Sequence, residues 1–261
     1  MPDQEHRTER PGSRVSAEFR GEVCVVRWAS GSGADLAGDL RAELEFCRVS
    51  GAADIVLDVN PDCTLGCEEL SVLQAAAESV HREGGEFVVA VEEPAARAAL
   101  AEAGLVRPPL PHPSPDVASG DEPVALPAKP LWEHEFTFAA SAEALPVARR
   151  RVTAFAEVAG LRGADLFEFS VAVAEALTNA LLHGSPHGAD DDVRVRFFCY
   201  DDEVAVEVAD GGGGLDATPI CVPEALESSG RGIHFMRALC DAVQFTCGPL
   251  GTHVLLVKGR G

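Results

Sequence analysis

Glu175-Ala-Leu-Thr-Asn179 is the stretch that decides the fold of the C-terminal half, together with three glycine-containing motifs that follow it. These motifs are Asp210-Gly-Gly-Gly-Gly214, Gly230-Arg-Gly232 and Gly251-Thr252. Taken singly, each motif has an ordinary explanation: a solvated helix face, a flexible loop, a helix start and a hairpin turn. All four motifs are unlikely to occur by chance in this order along one chain, so we interpret them as parts of one site.

The first motif lies on a helix predicted between Asp165 and Gly184. Glu175 and Asn179 are four residues apart, and His183 follows after four more. This spacing stacks the three side chains on one helix face, away from the apolar stripe. A carboxylate one turn from a carboxamide is suited to proton transfer and Mg²⁺ binding, because one group takes the proton and the other supplies an oxygen ligand.

The later motifs suit a phosphate-bearing ligand. Asp210 ends a predicted strand, where its carboxylate can accept a hydrogen bond from an amino group. The glycines after it let the backbone approach a ligand closely. Gly230 and Gly232 open a predicted helix, whose free N–H groups and dipole favour an anion. Gly251-Thr252 begins the last predicted strand.

The remaining elements of this half are predicted from caps and from apolar periodicity. Ser141 is the predicted N-cap of a helix that ends at Gly160. Asp165 and Glu168 are the predicted capping box of the next helix, which ends at Gly184. The residues predicted for the buried stripe of that helix are Leu166, Phe169, Val173 and Leu177. Strands are predicted at 132–138, 193–197 and 204–209, with hairpins turning at 201–202 and 248–251. This pattern predicts an α+β sandwich over residues 131–261.

The first half alternates strand and helix signals, which is typical of a small α/β domain. Apolar runs of strand length occupy 23–26, 55–57 and 87–91. Apolar residues at helical spacing lie between these runs, and Pro94 opens a third helix that ends at Gly104. We therefore predict an α/β domain over residues 15–107.

The two predicted domains are joined by a proline-rich segment. Residues 108–130 hold eight of the seventeen prolines, and proline fixes φ and removes a backbone donor. This segment is therefore predicted to be a spacer without regular structure. Residues 1–14 form a polar tail that is predicted to be disordered.

Composition narrows the classes of partner. The net charge is −21 and both halves are acidic, so direct binding to nucleic acid is disfavoured and a basic protein partner is the better expectation. No apolar run approaches the roughly 20 residues of a membrane span. The N-terminus lacks the apolar stretch of a signal peptide, so we expect a soluble, cytoplasmic protein. The eight cysteines are scattered and are interpreted as reduced thiols.

The ordered motifs resemble the N, G1 and G2 boxes and the closing Gly-Thr of the GHKL (histidine-kinase-like) ATPases. Within that superfamily, the compact length resembles the anti-sigma-factor serine kinases. The resemblance covers residues 131–261 and implies ATP and Mg²⁺ as cofactors. It implies Glu175 as the general base, Asn179 as a Mg²⁺ ligand and Asp210 as the group that reads the adenine amino group. The residues that it implies for the nucleotide pocket are Gly212, Gly214, Gly230, Gly232 and Thr252, with 215–229 as the ATP lid.

Residues 15–107 are similar to a STAS domain, the fold of anti-sigma-factor antagonists. The similarity lies in Ile55-Val-Leu-Asp58, in the helix that begins near Glu69, and in residues 84–89. In that family an Asp-Ser pair precedes the helix, and its serine accepts phosphate from the kinase. The equivalent pair here is Gly66-Cys67, so this STAS domain is predicted to be degenerate. Cys67 is interpreted as a packing residue, with an oxidant-sensing thiol as the alternative.

Together these features predict an ATP-dependent protein serine/threonine kinase that acts as an anti-sigma factor. It would bind a sigma factor and phosphorylate a separate STAS-type antagonist in trans. The alternative is a non-catalytic ATP-binding module whose nucleotide state controls partner binding. Glu175 favours catalysis, since nucleotide binding alone needs no base. A histidine sensor kinase is disfavoured because no helical hairpin with a phospho-accepting histidine precedes the ATPase. Related kinases commonly dimerise, which leaves a homodimer open.

Overall fold

The chain forms two compact units, Met1–Pro108 and Pro109–Gly261, and each contains one five-stranded sheet. The computed structural model describes residues 7–8, 14–29, 36–63, 65–106, 124–127, 129–211, 231–248 and 251–261. Among the helices described, none is both long enough and apolar enough to cross a membrane.

The N-terminal unit is a mixed α/β unit. Its elements are β1 (Arg7–Thr8), β2 (Val15–Arg20), β3 (Val23–Trp28), α1 (Leu36–Val49), β4 (Asp54–Val59), α2 (Cys67–Arg82), β5 (Phe87–Val91) and α3 (Pro94–Glu102). The strands lie in chain order across the sheet. The pairs β1–β2 and β2–β3 are antiparallel, whereas β3–β4 and β4–β5 are parallel. Parallel neighbours need a crossover connection, and α1 and α2 supply it.

One hydrophobic core holds this unit together. Its fully buried members include Trp28, Leu40, Leu57, Leu73 and Leu100. The helix boundaries follow the predicted signals: Pro94 starts α3, and Gly104 follows its end with a φ of 73°. Arg7 and Thr8, in the tail predicted to be disordered, form β1 by pairing with Glu18 and Ala17. This pairing satisfies backbone groups on the edge of β2.

The C-terminal unit packs a layer of helices on an antiparallel sheet. Its elements are β6 (Trp132–Ala139), α4 (Leu145–Val158), α5 (Gly163–His183), β7 (Asp192–Cys199), β8 (Glu203–Asp210), α6 (Arg231–Leu239), β9 (Ala242–Gly248) and β10 (Gly251–Gly259). The strand order is β6-β7-β8-β10-β9, and all neighbours are antiparallel. This is the α+β architecture that the sequence predicts, including the β7–β8 hairpin at residues 201–202 and the pairing of Gly248 with Gly251.

The longest helix, α5, is central to the helix layer. It packs against α4 and α6 on its sides and against β7, β8 and β10 below. Phe169, Val173 and Leu177 are buried as predicted, whereas Leu166, in the first turn of α5, is only half-buried. On the same face of the sheet, Trp132 stacks on Phe197 with ring centroids 5.1 Å apart. This face therefore provides the unit's core, and α5 is held rigidly by it.

Two predicted helix caps are wrong. Ser141 is not the N-cap of α4, which begins at Leu145; its Oγ instead accepts a hydrogen bond from the Ala144 N–H in the preceding turn, at 3.2 Å. Asp165 and Glu168 do not form a capping box, because α5 already begins at Gly163. Both carboxylates face Lys258, with Nζ 2.8 Å from Glu168 and 3.5 Å from Asp165. The buried ammonium of Lys258 thus binds these two carboxylates, which therefore do not cap the N-terminus of α5.

The end of the proline-rich segment packs on the opposite face of the C-terminal sheet. We call residues 124–127 the strap. Val124 and Leu126 contact a small apolar cluster, and the Val124 N–H donates to Oε1 of Gln244 at 2.8 Å. The buried members of that cluster are Phe198, Tyr200, Ala205 and Val257. The strap has no helix or strand, as predicted, but it belongs to the folded C-terminal unit.

Candidate functional site

Glu175 and Asn179 lie one turn apart on the side of α5 that faces α6. Both side chains are half-buried, whereas His183, at the last residue of α5, is exposed. Of the three residues predicted to share one helix face, Glu175 and Asn179 therefore lie where α5 packs against α6, and His183 does not. A carboxylate and a carboxamide in this position are anchored by a rigid helix but still open to solvent.

Gly232 of α6 lies directly against Glu175. A Cβ added at Gly232 would overlap Oε1 of Glu175 and would lie 2.9 Å from Cδ and 3.1 Å from Cγ. In the part of the chain that the structure describes, these three closest atoms outside α6 all belong to Glu175. The structure thus brings together the first and third motifs, as their predicted membership of one site requires.

Asp210 lies at the end of β8 and connects the second motif with the fourth. Its carboxylate is 8% exposed, and Oδ1 accepts a hydrogen bond from the Thr252 N–H at 3.0 Å. Asp210 also packs on Gly184, the C-cap of α5: a Cβ on Gly184 would overlap Cγ and Oδ2 of Asp210. The end of α5, the end of β8 and the start of β10 therefore meet at Asp210.

These two clusters lie along one helix. Glu175 and Gly184 are nine positions apart in the sequence, which corresponds to about 13.5 Å along a helix axis. Glu175, near the middle of α5, has a carboxylate, Asn179 one turn later has an amide oxygen, and Asp210 places a buried carboxylate at the C-terminus of the helix. An elongated ligand with a hydrogen-bond donor at one end and metal-bound anionic groups at the other fits this arrangement.

Part of the predicted site lies outside the described residues. This applies to Gly212, Gly214, Gly230 and the predicted lid at 215–229. The other predicted site residues are described. Glu175 and Gly232 meet near the middle of α5, Asn179 lies one turn further along the helix, and Asp210 and Thr252 meet at its C-terminus.

The sequence analysis missed Gly184 as a site residue. It identified this glycine only as the end of the helix, which the structure confirms. The contact with Asp210 joins residues that are 26 positions apart, so helical periodicity gives no signal for it. The one signal in the sequence is the glycine at position 184, directly after the helix that carries Glu175, Asn179 and His183.

A charged network of Glu207, His253 and Arg196 joins β7, β8 and β10 on the face of the sheet that carries the strap. Glu207 accepts hydrogen bonds from His253, whose Nδ1 is 2.9 Å from Oε1, and from Arg196, whose Nη1 is 3.3 Å from Oε2. Burial opposes ionisation of Glu207. The His253 hydrogen bond and the positive charges of Arg196 and Arg194 outweigh it and hold the pKa of the Glu207 carboxyl below its ordinary value. This network fixes β8 and β10 beside the Asp210–Thr252 contact.

Known proteins resemble the unit that carries this site. The histidine kinase-like ATPase domain family matches residues 138–258. The serine-protein kinase RsbW of Bacillus pumilus (strain SAFR-032) is 30% identical over 122 residues, which are 42% of this chain and 75% of that protein. The anti-sigma F factor of Clostridium botulinum (strain Eklund 17B / Type B) is 29% identical over 85 residues, which are 30% of this chain and 59% of that protein.

With RsbW matched over three quarters of its length, the chain belongs to the RsbW family of histidine kinase-like ATPases.

Proposed function

We propose that this chain is an ATP-dependent protein serine/threonine kinase that acts as an anti-sigma factor. The RsbW and anti-sigma F relatives support this function. The observation that carries the proposal is the spacing of groups along the C-terminal half of α5. Glu175 lies near the middle of the helix, Asn179 one turn later, and Asp210 packs on Gly184 at the C-terminus.

The described residues fit ATP with Mg²⁺. Two glycines, Gly184 and Gly232, let the acidic side chains approach α5 and α6 at positions that any Cβ would fill. Asn179 presents an amide oxygen, a ligand type that Mg²⁺ accepts. In the proposed site Asp210 accepts from the adenine amino group while Thr252 holds its Oδ1. Gly212, Gly214 and Gly230 are proposed to border the nucleotide and residues 215–229 to cover it, whereas Gly232 packs against Glu175.

Glu175 is proposed as the general base. Bound ATP with Mg²⁺ supplies the transferable phosphoryl group and a compensating positive charge. The Glu175 carboxylate accepts the proton of a substrate hydroxyl, so that the hydroxyl oxygen becomes the nucleophile. The rigid packing of α5 fixes where this proton goes, which is how a base contributes to the transition state.

The partners are proposed from the relatives and from the N-terminal unit. A sigma factor and a separate STAS-type antagonist are the proposed protein partners, acting in the cytoplasm, and a homodimer is a further proposal. The sheet order and crossovers of the N-terminal unit support a STAS-like fold. Cys67 is exposed at the start of α2, so its interpretation as a packing residue is wrong. The STAS family has its acceptor serine at this position and Cys67 offers a thiol instead, so the phosphorylated antagonist is proposed to be another chain.

Glu175→Ala tests the kinase against a non-catalytic binding module. Each STAS-type antagonist encoded in the same genome is purified and incubated with the full chain, γ-labelled ATP and Mg²⁺. We expect one antagonist to be labelled on serine, and Glu175→Ala to abolish labelling while calorimetry shows most of the ATP affinity retained, since a general base acts mainly in the transition state. Transfer that persists unchanged in Glu175→Ala would contradict the role of Glu175, and ATP binding without any transfer would favour the binding module.

A further inference from the structure

Gly232 is buried on the side of α6 that faces α5. Met236, one turn further along α6, is fully buried on the same side. The three atoms nearest to a Cβ at Gly232 are Oε1, Cδ and Cγ of Glu175, and they all belong to one side chain. The space that a larger residue would take at position 232 is thus occupied by the Glu175 carboxylate.

The kind of atom that a Cβ would meet decides what a substitution does. At Gly85 it would meet the backbone carbonyl of Ala53, and at Gly184 it would meet the short, buried side chain of Asp210; neither neighbour can move without the backbone. At Gly232 the overlapping atom is the far end of a flexible glutamate. An alanine there is accommodated by a change in the Glu175 rotamer, so the fold survives and the carboxylate moves.

We infer that Gly232 is a positioning residue for Glu175 rather than a backbone contact for the nucleotide. The inference rests on the proposed function in one respect, namely that Glu175 is the base. The absence of a Cβ at position 232 defines the rotamer in which the carboxylate lies between α5 and α6. A general base works only within hydrogen-bond reach of the proton that it accepts, so this rotamer determines transfer.

A double-mutant cycle on the full chain tests the inference, with Gly232→Ala, Glu175→Ala and the double variant. ATP affinity is measured by calorimetry, transfer in a single turnover with the labelled antagonist, and stability by thermal unfolding. We expect Gly232→Ala to slow transfer about 100-fold, the size of effect that a displacement of about 1 Å can produce. Its ATP affinity stays within about twofold of the wild type, the usual error for independent sites. Its Tm does not fall, because alanine favours the helix more than glycine does.

In the Glu175→Ala background the same substitution has no partner to displace. Gly232→Ala is then expected to leave the ATP affinity of Glu175→Ala unchanged, and transfer stays at the background level of that variant. The double variant Gly232→Ala/Glu175→Asp tests for rescue. Aspartate is one methylene shorter than glutamate, so Gly232→Ala is expected to slow transfer less in the Glu175→Asp background than in the wild type.

Two outcomes would overturn the positioning role. One is a loss of ATP affinity by the same factor in both backgrounds, which would make Gly232 a nucleotide contact. The other is unchanged transfer by Gly232→Ala. If the wild-type chain neither binds ATP nor transfers phosphate, the proposed function fails. The Gly232–Glu175 contact is then tested by the unfolding free energies of the wild type, the two single variants and the double variant. Additive effects of the two substitutions on the unfolding free energy would contradict the contact.

Discussion

Asp210 is the residue whose proposed role depends most directly on a hydrogen-bond pattern. Oδ1 accepts from the Thr252 N–H, and the other oxygen is proposed to accept from the adenine amino group. In Asp210→Asn one of these acceptors becomes a donor, so one N–H group faces another. We expect ATP affinity to fall by about tenfold to a hundredfold, which corresponds to about 1.5–3 kcal/mol for a hydrogen bond to a charged group. If calorimetry gives wild-type ATP affinity for Asp210→Asn, Asp210 does not bind the adenine amino group.

Glu207 predicts how stability depends on pH. A carboxyl with a depressed pKa stabilises the fold above its ordinary pKa, which is 4.5 here, and this contribution is lost as the pH falls through the lowered value. Glu207→Gln is expected to cost about 1.5–3 kcal/mol at pH 7. The difference from the wild type should narrow as the pH falls below 4.5.

Urea unfolding of both proteins between pH 7 and pH 3 measures this difference. Exposed Glu143 offers a matched control, because Glu143→Gln removes a carboxylate without breaking a buried network. A constant gap between wild type and Glu207→Gln over this range would show that the network contributes no pH dependence.

At the scale of the element, α5 was largely predictable and its N-terminus was not. The 3.6-residue periodicity identified the buried side, and Gly184 identified the end. The start failed because Asp165 and Glu168 pair with Lys258, which is about ninety residues further along the chain. A capping pattern compares only neighbouring residues, so it cannot predict that Lys258 pairs with the carboxylates of Asp165 and Glu168. The Asp210–Gly184 contact was missed for the same reason, since it is made between two elements.

Lys258 connects three elements, and its replacement should loosen the helix layer. Its ammonium donates to Glu168 at 2.8 Å in α5 and to the carbonyl of Leu239 at 3.0 Å, at the end of α6. Lys258→Met keeps the apolar stem and removes these bonds. We expect a loss of about 1.5–3 kcal/mol in unfolding free energy, measured by chemical denaturation.

ATP affinity is the second measurement on Lys258→Met. The two helices that it connects carry Glu175 and Gly232, so a weaker α5–α6 contact should reduce nucleotide affinity by a smaller factor than Asp210→Asn does. Lys129, which is exposed, gives the control variant Lys129→Met. Equal stability of the Lys258 and Lys129 variants would contradict the connecting role.

At the scale of the whole molecule, the fusion of the two units poses the question of self-phosphorylation. In the proposed STAS-like unit, Cys67 supplies sulfur where the STAS family has its acceptor serine. Ser71 is exposed one turn later, but its Oγ donates to the carbonyl of Cys67 at 2.8 Å, so the hydroxyl is engaged within its own helix. We therefore predict no phosphate on residues 58–80 when the full chain is incubated with labelled ATP and Mg²⁺.

Phosphosite mapping of the incubated chain gives the answer. Cys67→Ser provides the positive arm, because it restores an oxygen nucleophile at the acceptor position. Stoichiometric phosphate on Ser71 of the wild type, or on Thr64, which lies outside the described residues, would overturn the prediction and make the chain its own substrate.

The strap has a consequence for where the ATPase unit can be cut. A fragment starting at Leu131 contains all of residues 138–258, which the ATPase family matches. It would still leave Phe198, Tyr200 and Val257 without Val124 and Leu126, and Gln244 without the Val124 N–H. Such an uncovered apolar patch favours self-association. A fragment that begins at Pro109 should therefore stay monodisperse in light scattering at concentrations where one beginning at Leu131 aggregates. Leu126→Asp in the longer fragment should reproduce that aggregation.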